Sequence, residues 1–140
     1  MKKPAIEKIL KFTSEWEDDQ NNILPDLKGL IHNLDMRTDI TVEFIERPGI
    51  SYSIRASHPA QKQRKLFMLA DIIDDNPKAR WLSVCFYKDM IQDPMEEGEE
   101  IPGGLMGEDG YCFDHEVASE NNIDYILMRI DEAYCSAKEG

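Results

Sequence analysis

The stretch Arg80-Trp81-Leu82-Ser83-Val84-Cys85-Phe86-Tyr87-Lys88-Asp89-Met90-Ile91 decides the fold of this chain. Aromatic and β-branched residues dominate its first half, which reads as a central β-strand. Leu82, Val84 and Phe86 alternate onto one face, and Trp81, Ser83, Cys85 and Tyr87 onto the other. From Asp93 the composition changes to Asp-Pro-Met-Glu-Glu-Gly-Glu-Glu and then Ile-Pro-Gly-Gly-Leu-Met-Gly-Glu-Asp-Gly. The strand therefore feeds an acidic, glycine-rich loop segment over 92–118.

Working back from this strand, the hydrophobic period is two. Residues 66–73 read as a strand that is apolar on both faces, which predicts cover above and below. The turn Asp74-Asp75-Asn76-Pro77-Lys78 separates it from the central strand. Before it, Ile50, Tyr52, Ile54 and Ala56 alternate with Ser51, Ser53 and Arg55, a strand with a solvent face. Ile40, Val42 and Phe44 alternate with Thr41, Glu43 and Ile45 ahead of the turn Arg47-Pro48-Gly49. Four strands joined this closely cannot be parallel, because parallel neighbours need crossovers of about a dozen residues or more. They predict an antiparallel meander.

The flanks are helical. Ile6, Ile9, Leu10 and Trp16 recur at helical spacing over 4–19, with Pro4 in a first turn. Ile23, Leu27, Leu30, Ile31 and Leu34 define a second helix with Pro25 near its start, and Gly29 inside it either weakens the helix or marks a close helix contact. Asn121 or Asn122 caps a final helix carrying Ile123, Ile126, Leu127 and Ile130, and Tyr111-Cys112-Phe113 adds a short edge strand before it. The expected architecture is one α+β domain: helices over 1–37, an antiparallel sheet over 38–91, the acidic loop over 92–118, and a helix over 119–138 packed on the sheet.

At 140 residues and 41% hydrophobic, the chain is long enough to bury a core without staples. Met1-Lys2-Lys3 is followed at once by Pro4-Ala5-Ile6-Glu7-Lys8, so no signal peptide is read and a cytoplasmic location is expected. Cys85, Cys112 and Cys135 make an odd count without tight spacing, which reads as three reduced thiols, Cys85 a buried small hydrophobe.

The net charge of −12 is unevenly placed. Residues 1–91 hold 14 Lys+Arg and 14 Asp+Glu; residues 92–140 hold 2 basic residues against 14 acidic ones. That field repels phosphate backbones and anionic membrane surfaces, and leaves a basic protein partner or a cation. In the meander the basic loop 57–65 lies at the end of the sheet from which the acidic segment leaves. Lys62, Arg64 and Lys65 are expected to clasp Glu96, Glu97, Glu99 and Glu100, within one chain or across a homodimer.

No catalytic constellation emerges. Cys112, Asp114 and His115 carry metal-ligand chemistry, but adjacent residues on an extended chain point to opposite faces. The 93–110 segment lacks EF-hand spacing, and Gly103-Gly104-Leu105-Met106-Gly107 has no lysine to hold a phosphate. His32, His58 and His115 lie on different elements, and no nucleophile elbow is present. Tyr52, Trp81, Tyr87, Met68, Met90 and Met106 would suit a sheet–helix cleft for a haem-like ligand, although core packing explains the same residues. The remaining class is a non-enzymatic protein-interaction module, in contact with another protein or itself, with Trp81 and Tyr87 on an open aromatic face and no cofactor. In size and charge alone the chain is similar to secretion chaperones; no motif is shared.

Overall fold

The computed structural model describes residues 4–17, 20–118 and 122–140. Helices α1 (Pro4–Ser14) and α2 (Leu24–Asp35) precede strands β1 (Thr41–Arg47), β2 (Ser51–Ser57), β3 (Met68–Ile73) and β4 (Trp81–Tyr87). A 3₁₀ turn at Lys88–Met90 leads to β5 (Glu99–Leu105), β6 (Glu108–His115) and α3 (Ile123–Glu139). The class is α+β, as expected, with six strands where the sequence reading has a four-stranded meander and a short edge strand.

All pairings are antiparallel, in the order β1-β2-β3-β4-β6-β5. The meander β1 to β4 forms as expected. The acidic segment is not a loop: it folds into the hairpin β5–β6, whose two-residue turn places Met106 and Gly107 at positive φ, the geometry that matches strand twist. Tyr111-Cys112-Phe113 lies inside β6, which inserts between β4 and β5 instead of forming the edge. The reason is chemical. Pro102 removes a ladder donor and two glutamates crowd the start of β5, which confines that strand to an edge. Phe113 and Tyr111, in contrast, meet Val84 and Phe86 across the ladder.

Register assigns each strand residue to a face. Phe44, Tyr52, Ile54, Met68, Ala70, Ile72, Leu82, Val84, Phe86 and Phe113 share one face. All three helices lie on it. From α1, Phe12 packs 4.2 Å from Tyr52 and 5.8 Å from Phe44; from α3, Tyr125 lies 6.1 Å from Phe113. From α2, Asp26 Oδ2 sits 2.7 Å from Nε2 of the fully buried His115, whose Nδ1 meets Asn122 Oδ1. His115 thus ties α2, β6 and the start of α3 together.

Several expectations are corrected here. The first helix stops at Ser14, and Asp18 and Asp19 lie outside the described residues. Gly29 marks no close contact, since a Cβ there would meet nothing within 4 Å. Asn122 precedes α3 without a side-chain cap, because its amide is engaged by His115 and by the Asp114 carbonyl; Asn121 lies outside the described residues. The third strand is covered on one face only: Met68, Ala70 and Ile72 are buried, while Leu69, Asp71 and Ile73 are half-exposed.

Candidate interaction surface

The second face of the sheet carries no described helix. Its residues fall in rows across the strands: Arg47, Ser51, Ile73 and Trp81; Ile45, Ser53, Asp71, Ser83 and Asp114; Glu43, Arg55, Leu69, Cys85, Cys112 and Glu99. Ile45, Leu69, Ile73 and Trp81 are half-exposed. They surround a polar centre in which Ser51 and Ser53 are only 8% and 5% exposed. Serine is short, so taller neighbours on adjacent strands shade it even where nothing is packed on top. The solvent face expected for β2 is therefore uncovered yet largely sheltered.

Asp71 occupies the middle of this centre, with Ser53 and Ser83 directly opposite on its two neighbouring strands. Burial pushes its carboxyl above the ordinary value; the bonded Ser53 hydroxyl and the Arg55 and Arg47 charges pull the other way without prevailing. Arg55 Nε donates to Ser53 Oγ at 3.3 Å, so Arg55, Ser53 and Asp71 form a chain.

Beside it, Cys85 and Cys112 are paired in register on β4 and β6, and they form a disulfide. The expectation of three reduced thiols is overturned for these two. They stand 27 positions apart in sequence but 4.1 Å apart at Cα, the close approach of directly opposite residues in an antiparallel pair. Cys135 is a free, exposed thiol on α3.

Tyr87 departs from the expected open aromatic face. It is 1% exposed, and the Arg64 guanidinium lies over its ring at 4.1 Å. Arg64 is the hub of the basic loop: Nη1 donates to Asp89 at 2.6 Å and Nη2 to Glu108 at 2.9 Å. The carboxylates keep the guanidinium firmly protonated, and its hydrogen bonds hold Asp89 below the usual carboxylate range. The loop and the acidic segment do meet, through different partners from those expected. Glu100 pairs with Lys88 at 3.4 Å, and Lys62 Nζ donates to the Pro59 carbonyl. Lys65, Glu96, Glu97 and Glu99 form no ion pair among the described residues.

The entry to the hairpin is shaped by one buried acid. Asp93, at positive φ, accepts hydrogen bonds from the Glu97 and Gly98 amides at 3.0 Å each and from the Tyr125 hydroxyl. Burial acts to raise its pKa, but these bonds outweigh burial and hold it low. Gly98 is required here: a Cβ would come within 2.7 Å of Tyr111 and 2.9 Å of Phe113. Past this loop, Glu97, Glu99, Asp114, Cys112, Phe113 and Asn122 line a groove of about 360 Å³ that runs into the uncovered face.

The ligand sets considered from sequence are not assembled. Cys112 is in the disulfide, His115 is buried against Asp26 and Asn122, and Asp114 faces away from His115. No group of three or more His, Cys, Asp or Glu among the described residues is placed to hold a metal ion. Of the residues considered for a haem-like cleft, Tyr52 and Met68 belong to the covered face and Trp81 to the uncovered one, so no single cleft collects them. No described helix is long and apolar enough to cross a membrane.

Comparison with protein-family models, with curated proteins and with solved structures finds no match to this chain. The functional reading therefore rests on its own geometry and charge.

Proposed function

We propose that the protein is a non-enzymatic interaction module that uses the uncovered sheet face to hold a partner protein segment presenting a cationic side chain among apolar ones. One observation carries this reading: Asp71, its pKa raised by burial, sits at the centre of a sheet face that carries no described helix and is ringed by Ile45, Leu69, Ile73 and Trp81. A carboxylate so placed is a liability for stability alone, and becomes useful when a partner's Lys or Arg reaches it. The acidic groove of Glu97, Glu99 and Asp114 extends the same preference beyond the edge of the patch. A second copy of the chain is a poorer fit, because bringing two −12 surfaces together is opposed by their charge.

The test pairs affinity capture with substitutions. Partners recovered by the intact protein should be lost with Trp81→Glu and with Asp71→Lys, retained with Met128→Glu on the exposed side of α3, and released by salt. Recovery of the same partners by the Trp81 and Asp71 variants would overturn the proposal. A dimer seen by light scattering that dissociates on Trp81→Glu would replace it with self-association.

A further inference from the structure

We infer that a second site, separate from the uncovered face, binds a small aromatic anion carrying a phosphate or carboxylate in the cleft between α1 and the β1–β2 end of the sheet. The cleft measures about 440 Å³ and is lined by Lys8, Lys11, Phe12, Glu15, Glu46, Tyr52 and Arg80. That volume lies within the range of small-molecule sites.

Three observations converge. First, Tyr52 is only 8% exposed, and its hydroxyl makes no hydrogen bond among the described residues although the side chain lines the cleft. The ring is buried but the hydroxyl oxygen is not, so it opens into the cleft as a donor that a ligand can reach. Second, the charges on α1 and β1 around the cleft are unpaired. Lys8, Lys11, Glu15 and Glu46 form no ion pair among the described residues, although both signs line one cavity. With Asp74 bonded to Arg80, three cations stand against three carboxylates, so the cleft is charge-balanced on a molecule that is otherwise strongly acidic.

Third, the wall is aromatic and already holds a cation in place. The Arg80 guanidinium lies 4.6 Å from the Trp16 ring, 5.0 Å from Phe12 and 5.8 Å from Tyr52, and its Nε donates to Asp74 at 2.6 Å. With Nε committed, its two terminal amino groups form no hydrogen bond among the described residues. They are the bidentate donors that a planar carboxylate or a phosphate takes. Lys8 and Lys11 reach the anionic group from one turn of α1, the Tyr52 hydroxyl donates to it, and the Phe12 ring stacks on the ligand's aromatic body. Glu46, directly opposite Tyr52 on β1, and Glu15 accept from donors on that body.

Phenyl phosphate and benzoate are suitable probes, with inorganic phosphate as the reference. In a Trp81→Phe background, Trp16 is the only tryptophan and reports from beside Arg80. Phenyl phosphate or benzoate should change its fluorescence saturably, and the tighter of the two identifies the headgroup. Removing the hydroxyl with Tyr52→Phe should weaken binding by roughly threefold to tenfold, the worth of one hydrogen bond. The double variant Lys8→Glu, Lys11→Glu, both on exposed helix positions, should weaken it by about tenfold or more. Both variants should keep the thermal midpoint of the parent. Absence of saturable binding by either aromatic probe would overturn the site. So would equal affinity for inorganic phosphate, which would mark an adventitious ion only, or affinity unchanged in both variants.

Discussion

On β4, Phe86 points toward the helices, is fully buried and meets Phe113 edge-on at 5.8 Å, while Trp81 at the start of the same strand points the other way and is half-exposed beside Ile73. The two faces of this sheet come from the same strands and differ in what they meet. The covered face is apolar from Val42 to Phe113, with Glu46, Glu100 and His115 at its margins. The uncovered face is a mosaic of half-exposed apolar groups around Ser53, Asp71 and Ser83, tied by a disulfide instead of by helices. The difference separates stability from availability: the first face supplies the burial that folding needs, and the second is left in a state that another molecule can complete.

Truncation is the strongest way to break this contrast. Phe86→Ala should cost about 3–5 kcal/mol in denaturant unfolding, whereas Trp81→Ala should cost less than about 2 kcal/mol, because its ring is already partly in water. Equal losses would mean that something covers the second face after all.

The disulfide comes next. Reducing Cys85–Cys112 should lower stability by about 2–4 kcal/mol, since the bridge closes a loop spanning 27 positions. Thiol titration of the unreduced, denatured protein should find one free thiol, Cys135; three would remove the bridge from the account of this face.

Acid separates Asp71 on the uncovered face from the loop acids Asp39 and Asp93 by sign. Asp39 accepts from the Tyr134 hydroxyl and from His58 Nε2, which hold its pKa at about 2. A depressed folded-state value contributes stability that is present above the unfolded value near 4 and is lost as pH falls toward 2. Asp93 acts in the same direction. Asp71, with its value raised, acts oppositely: protonation relieves the cost of burying its charge, so it favours the fold as pH falls. Stability should decline between about pH 4 and 2, and Asp39→Asn should flatten that decline in acid-unfolding curves. A decline unaltered in Asp39→Asn would reassign it.

The smallest expected effect is on Asp71 itself. Asp71→Asn should leave the denaturation midpoint unchanged or raise it by less than about 1 kcal/mol at neutral pH. A loss larger than that would show that the carboxylate serves the fold, and the contrast between faces would lose its functional meaning.

The meander was readable because its strands are separated by turns with strong local chemistry, as at Arg47-Pro48-Gly49 and Asp74-Asp75-Asn76-Pro77-Lys78, and because alternation assigns faces without any knowledge of neighbours. The hairpin β5–β6 was missed because glutamate, proline and glycine have low strand propensity, and the ladder to β4 overrides it. A signal existed in Met106-Gly107, a two-residue turn ahead of the alternating Tyr111 and Phe113. Within the candidate surface, Trp81 was legible and Asp71 was not. Reading 66–73 as apolar on both faces passes over its single acid, whose place becomes visible only when Ser53 and Ser83 are seen on either side of it. Tyr87 was misplaced because Arg64, distant in sequence, lies over its ring.

By itself, the sequence determined the α+β class, the antiparallel meander, the face on which each meander residue stands and the concentration of negative charge in the last third, since each of these follows from local period, local turns or simple counting. Only the tertiary structure decided that β6 inserts beside β4, that Cys85 meets Cys112, that all three helices gather on one face, and that Tyr52 and Arg80 share a cleft with α1. Those outcomes depend on which distant segments become neighbours, and that choice is made by the summed packing of the whole chain, not by any stretch of it.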